Sequence, residues 1–437
     1  MNVRDEYCRV RPGTGVSGLL LLWGYVILNA GCREPALQAM HEYAHDKLAI
    51  LDRKSKERKN HIMRYPNFLS PNGTIGFVAP SFGCATEPYM SAFDNAQRKW
   101  KEMGYQLRLG PNCYAQEGIG ISNTPDKCGA ELTEYYCSPR NDSLISCGGG
   151  ELMCEILDYV DFEKIKQADP KWYMGFSDNT NMTFLLTTLC DTAAIYGPCA
   201  SAFGMEPWHQ SIQDAMDLLT GKSLRFEGYD KWEKEWLKDE EHPLLPYNVT
   251  EPSVIKYILP DGRTNIESLK DADICAGSKI STEQASSGET KYDGSKQIEL
   301  SGRLLGGCMD CLVNLLGTKY DKVNDFAEKY KEDGILWFLE SCDLNVMSIR
   351  RAMWQMEHAG WFEHCCGFII GRPLCHGQEM MGLDQYQAVY GMIKKYHVPV
   401  IMDIDIGHLS PMMPVICGSM GHVVSDGSCY SIQMSLD

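Results

Sequence analysis

Residues 170–180 read Pro-Lys-Trp-Tyr-Met-Gly-Phe-Ser-Asp-Asn-Thr. The apolar, aromatic-rich run Trp172–Phe176 has the character of a buried strand. Asn179–Leu189 has the pattern of a helix. The chain must turn sharply between them, and Ser177 sits on that turn. A serine there is pushed up at a strand end, with the free N–H groups and positive dipole of a helix N-terminus behind it. That is the physical logic of a nucleophile elbow. Asn179 stands where G-x-S-x-G would carry its second glycine. Asp178 could instead be a plain N-cap, with Ser177 a bystander.

Outward from this turn the pattern is regular. Thr74–Ala79, Tyr105–Leu109, Leu144–Cys147 and Ala194–Tyr196 read as further strands; Tyr89–Met103 and Glu151–Gln167 read as helices. Such alternation predicts βαβ units and a mostly parallel sheet, with ligands beyond the strand C-termini. Residues 222–300 are polar and carry the turn signal Pro260-Asp261-Gly262, an irregular or β-rich insertion. Order resumes near Gly302. Helical Met309–Leu316 and Tyr320–Tyr330 precede strand Ile335–Leu339, helix Asn345–His358, strand Phe368–Ile370, helix Leu383–Tyr396 and strand Val400–Ile404. The expected fold class is therefore α/β. A mostly parallel N-terminal domain (63–222) carries Ser177, a polar linker or insertion spans 223–300, and residues 301–437 form a second α/β domain.

The chain has 437 residues, 44% of them hydrophobic, enough for two domains with cores. Its net charge of -17 argues against a nucleic-acid partner, since a polyanion would be repelled. The 19 cysteines are scattered, as buried thiols of a reducing, cytoplasmic compartment would be. Cys308-x-x-Cys311 reads as two thiols on one helix. A structural zinc site usually needs two such pairs, so no metal and no cofactor is expected. Residues 1–62 are atypical, an extension or an anchor. Val16–Gly31 is an apolar run of signal-peptide or marginal membrane length. Its N-terminal flank mixes Asp5 and Glu6 with arginines, and its C-terminal flank is basic from Lys47 to Lys59, which opposes export. Three readings stand: an upstream extension with Met63 as the functional start, a membrane anchor, or a cleaved signal. Membrane contact is expected only if residues 16–31 act as an anchor.

Ser146-Cys147-Gly148-Gly149-Gly150 ends the strand before the elbow. Three glycines let backbone approach a ligand closely and aim an N–H at a developing oxyanion, or simply make a tight turn. A serine nucleophile needs a base. Among 11 histidines, His408 follows the longest strand-like run, Val398–Ile406, beside Gly407; His376 and His422 are the rivals. The orienting carboxylate should lie at another strand end. Glu340 closes an apolar strand, where burial is costly without a partner. Asp343, Asp403 and Asp405 are alternatives.

Taken together these blocks resemble the serine L,D-carboxypeptidases (peptidase family S66), most closely the branch of microcin-C immunity peptidases. The resemblance runs from about Thr74 to about Val423. It rests on Ile75-Gly-Phe-Val-Ala-Pro-Ser81, Ser146-Cys-Gly-Gly-Gly150, the stretch Pro170–Thr180, Gly334-Ile-Leu-Trp-Phe-Leu-Glu340, and Gly407-His408 followed by Pro414-Val-Ile-Cys-Gly418. It implies Ser177 as nucleophile, Glu340 as the residue that orients the imidazole, His408 as general base, and an oxyanion hole from the backbone N–H groups of Asp178 and Gly149. It implies a C-terminal domain smaller than the N-terminal one with the active site between them, a homodimer, and as substrate a small peptide: a murein tetrapeptide losing D-alanine, or a peptidyl-nucleotide. Two departures bear on substrate preference. Glu151 follows the glycines where an aromatic is common, and Val346-Met-Ser-Ile-Arg-Arg351 replaces the family's usual Tyr-x-x-Asp-Arg helix. The charged stretch Leu224–Glu241 resembles the immunity branch. The alternatives are a non-catalytic sensor of cell-wall fragments and an α/β-hydrolase esterase; the latter should show a full G-x-S-x-G.

Overall fold

The short apolar runs of the first half pair into one sheet. The structure, a computed structural model, describes residues 63–270 and 298–437; the apolar run at 16–31 lies outside the described residues. Strands β1 (Thr74–Val78), β2 (Gln106–Leu109), β3 (Ser143–Ser146), β4 (Trp172–Gly175) and β5 (Ala194–Tyr196) are mutually parallel. They alternate with α1 (Tyr89–Glu102), α2 (Pro125–Cys137), α3 (Phe162–Gln167) and α4 (Thr180–Cys190), and α5 (Gln210–Leu219) follows. β3, β4 and β5 are buried on both faces, which is why they read as unbroken apolar runs. α1 buries Ala92, Phe93, Ala96 and Trp100, a stripe at helical spacing.

Two helical readings change. α2 has no counterpart among the expected helices, because Gly129 and the buried Glu131 interrupt its apolar stripe. Thr124 followed by Pro125 at the first turn was its start signal. The single helix expected over Glu151–Gln167 is a 3-10 turn (Met153–Tyr159) followed by α3, which Asp161 caps by accepting the Lys164 N–H at 2.9 Å.

The polar stretch contains β6 (Arg225–Glu227), β7 (Lys231–Glu233), β8 (Val249–Pro252), β9 (Lys256–Ile258) and a single helical turn, α6 (Glu267–Lys270). The second half runs β10 (Ile298–Cys308), α7 (Met309–Leu315), α8 (Val323–Lys329), β11 (Ile335–Glu340), α9 (Val346–His358) and β12 (Cys365–Gly371). The hairpin β13 (Glu379–Met380) and β14 (Leu383–Asp384), α10 (Gln385–Ile393), β15 (Val400–Ile404), β16 (Val415–Cys417), β17 (Met420–Ser425) and β18 (Tyr430–Ser435) complete it. The second sheet has the order β6-β18-β17-β10-β11-β12-β15-β9, parallel from β10 to β15 and antiparallel outside. β10 begins ahead of the expected Gly302; its glycines and Arg303 hide an 11-residue strand. Cys308 thus closes a strand and only Cys311 lies on the helix. β16 crosses back and pairs antiparallel with β5, so the C-terminal chain stitches the first sheet to the second. Among the described residues no helix is long and apolar enough to cross a membrane.

α4 packs between the sheets and is buried along almost its whole length, which explains its apolar composition on every face. Phe184 on α4 stacks on Trp361 at 5.6 Å, and Trp361 lies parallel to Trp337 of β11 at 6.1 Å. The Cys308 N–H donates to Thr180 Oγ1 at 3.0 Å, tying the end of β10 to the start of α4.

The register of β10 on β11 sets where Cys308 and Glu340 end up. Gly306 lies so close to β11 that a Cβ there would stand 1.7 Å from the Phe338 carbonyl oxygen. Gly306→Ala should therefore lower stability by on the order of 3 kcal/mol. Gly317→Ala, with φ +71 but nothing within 4 Å, should cost about 1 kcal/mol from backbone strain alone. Denaturant midpoints of the two variants check this; an equal loss would contradict the close approach.

Candidate active site

β4 ends at Gly175, and a 3-10 turn, Ser177–Asn179, carries the chain into α4. Ser177 has φ +62, a conformation a serine holds only where its surroundings impose it. The Asp178 carboxylate does not cap α4. It is buried and accepts from Ser81 Oγ (2.5 Å), the Met153 N–H (2.9 Å) and Asn181 Nδ2 (3.1 Å), bracing the elbow against two neighbouring loops. Burial raises its pKa, and those donors pull against the rise. Asn179, the residue in place of a second glycine, donates from Nδ2 to the Gly148 carbonyl (2.8 Å) and the Phe176 carbonyl (3.1 Å), while Tyr173 Oη donates to its Oδ1 at 2.5 Å. It clamps the elbow to the glycine loop. A Cβ on Gly149 would stand 3.2 Å from Ser177 Cβ and 3.3 Å from its Oγ, close enough that the serine would have to shift by a few tenths of an ångström to admit it.

Glu340 is the last residue of β11 and has no exposed surface. It accepts from His408 Nδ1 at 2.8 Å and from Tyr196 Oη at 2.5 Å, and the Cys308 thiol lies against it. The Ser177 N–H in turn donates to Tyr196 Oη at 3.2 Å. Tyr196 closes β5, so the first sheet reaches the acid of the second through one phenol. His408 lies in the loop after β15, past the strand's end at Ile404. Gly407 has φ +112, and a Cβ there would stand 2.7 Å from Glu340 Oε2; the glycine lets the loop bring His408 onto the carboxylate. Burial raises the Glu340 pKa, yet the imidazolium beside it wins and holds it below the usual carboxylate value. Burial pulls His408 down, yet Glu340 and the Cys342 thiol outweigh it and hold the imidazole well above its ordinary value. His408 Nε2 has no hydrogen-bond partner among the described residues, and the ring packs against Phe176 at 5.1 Å.

The rivals occupy other networks. His376 packs on Trp232 and lies 3.8 Å from Asp403; His422 pairs with Ser301 on the face of β17. Asp403 accepts from Gln385 and Tyr386, and Asp405 binds Arg372, Tyr430 and the Tyr229 N–H. Asp343 donates its N–H to Asp310. Asn179, Tyr196 and the thiols of Cys308 and Cys342 went unread as site residues. Tyr196 alone carried a signal, a polar tip at the C-terminal end of a buried parallel strand. Cys308, Glu340 and His408 offer ligand atoms within 4.8 Å of one another, the one trio among the described residues able to hold a soft metal ion.

Ser177, the three glycines, Cys342 and His408 line a single cavity of about 670 Å³. Phe82, Tyr89, Trp236 and Tyr247 supply aromatic walls, and Glu233, Lys234 and Lys238 supply charge. A half-buried serine on a strained turn shares this cavity with a carboxylate-held imidazole. The chain is a member of the LD-carboxypeptidase family, peptidase S66: residues 75–197 match the family's N-terminal domain and residues 301–423 its C-terminal domain. A Treponema pallidum protein that carries the name of a carboxypeptidase is 21% identical over 84% of this chain and 94% of its own length. A similarly named Streptomyces coelicolor protein is 26% identical over 83% and 93%. Among solved structures, the microcin C7 self-immunity protein MccF, in complex with adenosine monophosphate, superposes with a TM-score of 0.64 at 18% identity, covering 85% of this chain and 98% of that one. An MccF-like protein of Bacillus anthracis gives the same score, covering 85% of this chain and all of its own. These likenesses show a common fold.

The Glu340–His408 pair predicts a pH signature in stability. Glu340 is lowered from 4.5, so its contribution is present above that value and is lost as pH falls through the folded pKa. His408 is raised from 6.5, so its contribution is complete below that value and is lost as pH rises through the folded pKa. The stability difference between wild type and Glu340→Gln should therefore peak between pH 4.5 and 6.5 and shrink on either side. Denaturant midpoints across pH 4–9 check it; a flat difference would show that the two groups are not charge-coupled.

Proposed function

We propose that this protein is a carboxypeptidase that cuts small peptides by acyl transfer, with Ser177 as nucleophile, His408 as general base and Glu340 as the orienting acid. The observation that carries the reading is the 2.8 Å bond from His408 Nδ1 to Glu340. It fixes the tautomer and leaves Nε2 unpartnered in the cavity that Ser177 lines. In this reading Nε2 takes the Ser177 proton as Oγ attacks the scissile carbonyl. The backbone N–H groups of Asp178 and Gly149 hold the oxyanion; Asp178 lies in the first turn after β4, where N–H groups lack intrahelical partners. The imidazolium then gives its proton to the leaving amine, and water releases the acyl-enzyme. The nucleophile belongs to an N-terminal domain (63–222), and acid and base to a C-terminal one (301–437). Every described cysteine is a free thiol, which fits a reducing, cytoplasmic setting.

Two substrate readings follow. One is a murein tetrapeptide that loses its terminal D-alanine, the reaction implied by the family. The second is a peptidyl-nucleotide. It is favoured by Trp236, which is 60% exposed on the cavity wall and stands edge-on to Tyr89 at 6.5 Å, a free aromatic face on which a base could stack. Solved complexes of MccF with glutamyl sulfamoyl guanosine and aspartyl sulfamoyl adenosine point the same way.

Incubating each substrate with the protein and reading the products by mass spectrometry separates the two. Ser177→Ala should lower turnover by on the order of 10⁴-fold or more; unchanged turnover would remove Ser177 from the mechanism. Because His408 acts as a neutral base and its pKa is raised, kcat/KM should climb with pH through a limb well above 6.5. Glu340→Gln should move that limb to lower pH while lowering its plateau.

A further inference from the structure

One thiol stands behind the reaction centre and takes no part in acyl transfer. Cys308 is the Cα partner of Glu340 in the parallel pairing of β10 with β11, so both side chains leave the sheet together. Its N–H is tied to Thr180 Oγ1 at 3.0 Å. The thiol is buried, donates to Asp310 Oδ2 at 3.3 Å and lies against the Glu340 carboxylate. Cys311, the other half of the Cys-x-x-Cys, directs its thiol to the Ser177 carbonyl at 3.5 Å.

The Cys308 sulfur, a Glu340 oxygen and a His408 ring nitrogen lie within 4.8 Å of one another. They come from three elements: the end of β10, the end of β11 and the loop after β15. A tetrahedral zinc ion bonds thiolate at about 2.3 Å and imidazole or carboxylate at about 2.0 Å, which sets its ligand atoms about 3.3–3.6 Å apart. The trio reaches that spacing with small side-chain movements. Its neighbours orient each ligand, as the outer contacts of a metal site do. Tyr196 Oη donates to the Glu340 oxygen that His408 leaves free. Asp310 takes the N–H groups of Cys342 (3.0 Å) and Asp343 (2.9 Å), fixing the turn after Glu340. His408 and Gly407 line the cavity, so an ion entering it meets the imidazole first.

We infer that Cys308, Glu340 and His408 form an inhibitory binding site for a zinc-class divalent cation. A thiolate, an imidazole and a carboxylate suit such an ion, and hard cations such as magnesium avoid the set. The exchange balances. Starting from the neutral imidazole that donates to Glu340, the ion takes the Nδ1 lone pair and the displaced proton is carried at Nε2. Cys308 releases its thiol proton to water. The carboxylate and thiolate together match the charge of the ion, so the buried cluster ends neutral. With a proton on Nε2, His408 cannot accept one from Ser177. Inhibition therefore rests on the carboxypeptidase reading, whereas binding of the ion does not.

The test uses the full chain. Cobalt(II) occupies zinc sites and shows a sulfur-to-metal charge-transfer band when a thiolate ligates it, and zinc titrated against bound cobalt gives the zinc affinity. Cys308→Ser keeps a hydroxyl to donate to Glu340 and removes the soft ligand. The band should be present in wild type and lost in this variant, and zinc affinity should fall about a hundredfold or more. Zinc should suppress hydrolysis by wild type, a chelator should restore it, and magnesium should leave it unchanged; Cys308→Ser should need about a hundredfold more zinc for the same effect. No band in wild type, or a band and zinc sensitivity that persist in Cys308→Ser, would overturn the site. If that variant fails to fold, anomalous diffraction from a cadmium-soaked crystal of wild type decides: an ion among the three side chains supports the site, and none there overturns it. A Cys308-dependent band in a protein that hydrolyses neither peptide would keep the site and remove the carboxypeptidase reading. Hydrolysis that ignores zinc, with no band, would do the reverse.

Discussion

The arrangement turns on one buried carboxylate. Glu340 is removed from water altogether, and a charge in that position must be matched or the fold loses several kcal/mol. The matches come from three directions. Tyr196 arrives from the end of the first sheet, His408 from the loop after β15, and the Cys308 thiol from the end of β10. Once Tyr196 is committed to Glu340 its oxygen is placed to receive the Ser177 N–H, so one chain of hydrogen bonds runs from the elbow's backbone to the imidazole. Removing the carboxylate would leave a buried phenol and a buried imidazole without their shared partner, one in each half of the molecule.

That chain works only because backbone can crowd around the acid. Gly371 lies where a Cβ would stand 1.9 Å from the Ile406 carbonyl, and Gly407 where it would stand 2.7 Å from Glu340 Oε2. The glycines are therefore spacers between the strands and the His408 loop. Below the loop, Asp405 binds Arg372 and Tyr430 and receives the Tyr229 N–H. This second buried charge cluster anchors the chain three residues before His408, so the loop is held by Asp405 as well as by the bond from His408 to Glu340.

What was legible in the sequence divides along this line. Ser177 and Glu340 could be picked out because each interrupts or ends an apolar strand, a local pattern in which a polar group is conspicuous. His408 could be placed near a strand end but not separated by pattern from His376; only the family blocks did that, and the structure brings His408 rather than His376 onto Glu340. Asn179 was illegible because its partner Gly148 lies 31 residues away and nothing local marks it; Tyr196 showed a polar tip at a strand end, but nothing local named Glu340, 144 residues on, as its partner. β10 and α2 were hidden by glycines and a buried charge, whose place is set by tertiary contacts that override propensity. β16 was illegible because a three-residue strand that changes sheets has no periodicity to read.

Substrate preference is the part of the chain where the fold departs most from a bare catalytic scaffold. The helix after Glu340 lacks the family's usual Tyr-x-x-Asp-Arg. Here Arg350 donates to the Gln387 carbonyl at 2.8 Å and Arg351 to Ser348 Oγ at 2.8 Å, so both arginines are spent on packing α9 and not on the cavity. The cations and the free aromatic face of the cavity come instead from the strap between β7 and β8: Lys234, Trp236 and Lys238. That strap is not an independent loop. Its first strand is bonded to Ser410 and its ring contacts rest on Arg372 and His376, the residues that flank the His408 loop. A change in the strap's sequence would therefore alter the cavity wall while leaving the contacts of Glu340 with Tyr196 and His408 in place, since neither contact involves the strap. Variation in specificity within one scaffold requires that separation between a rigid reaction centre and a replaceable wall.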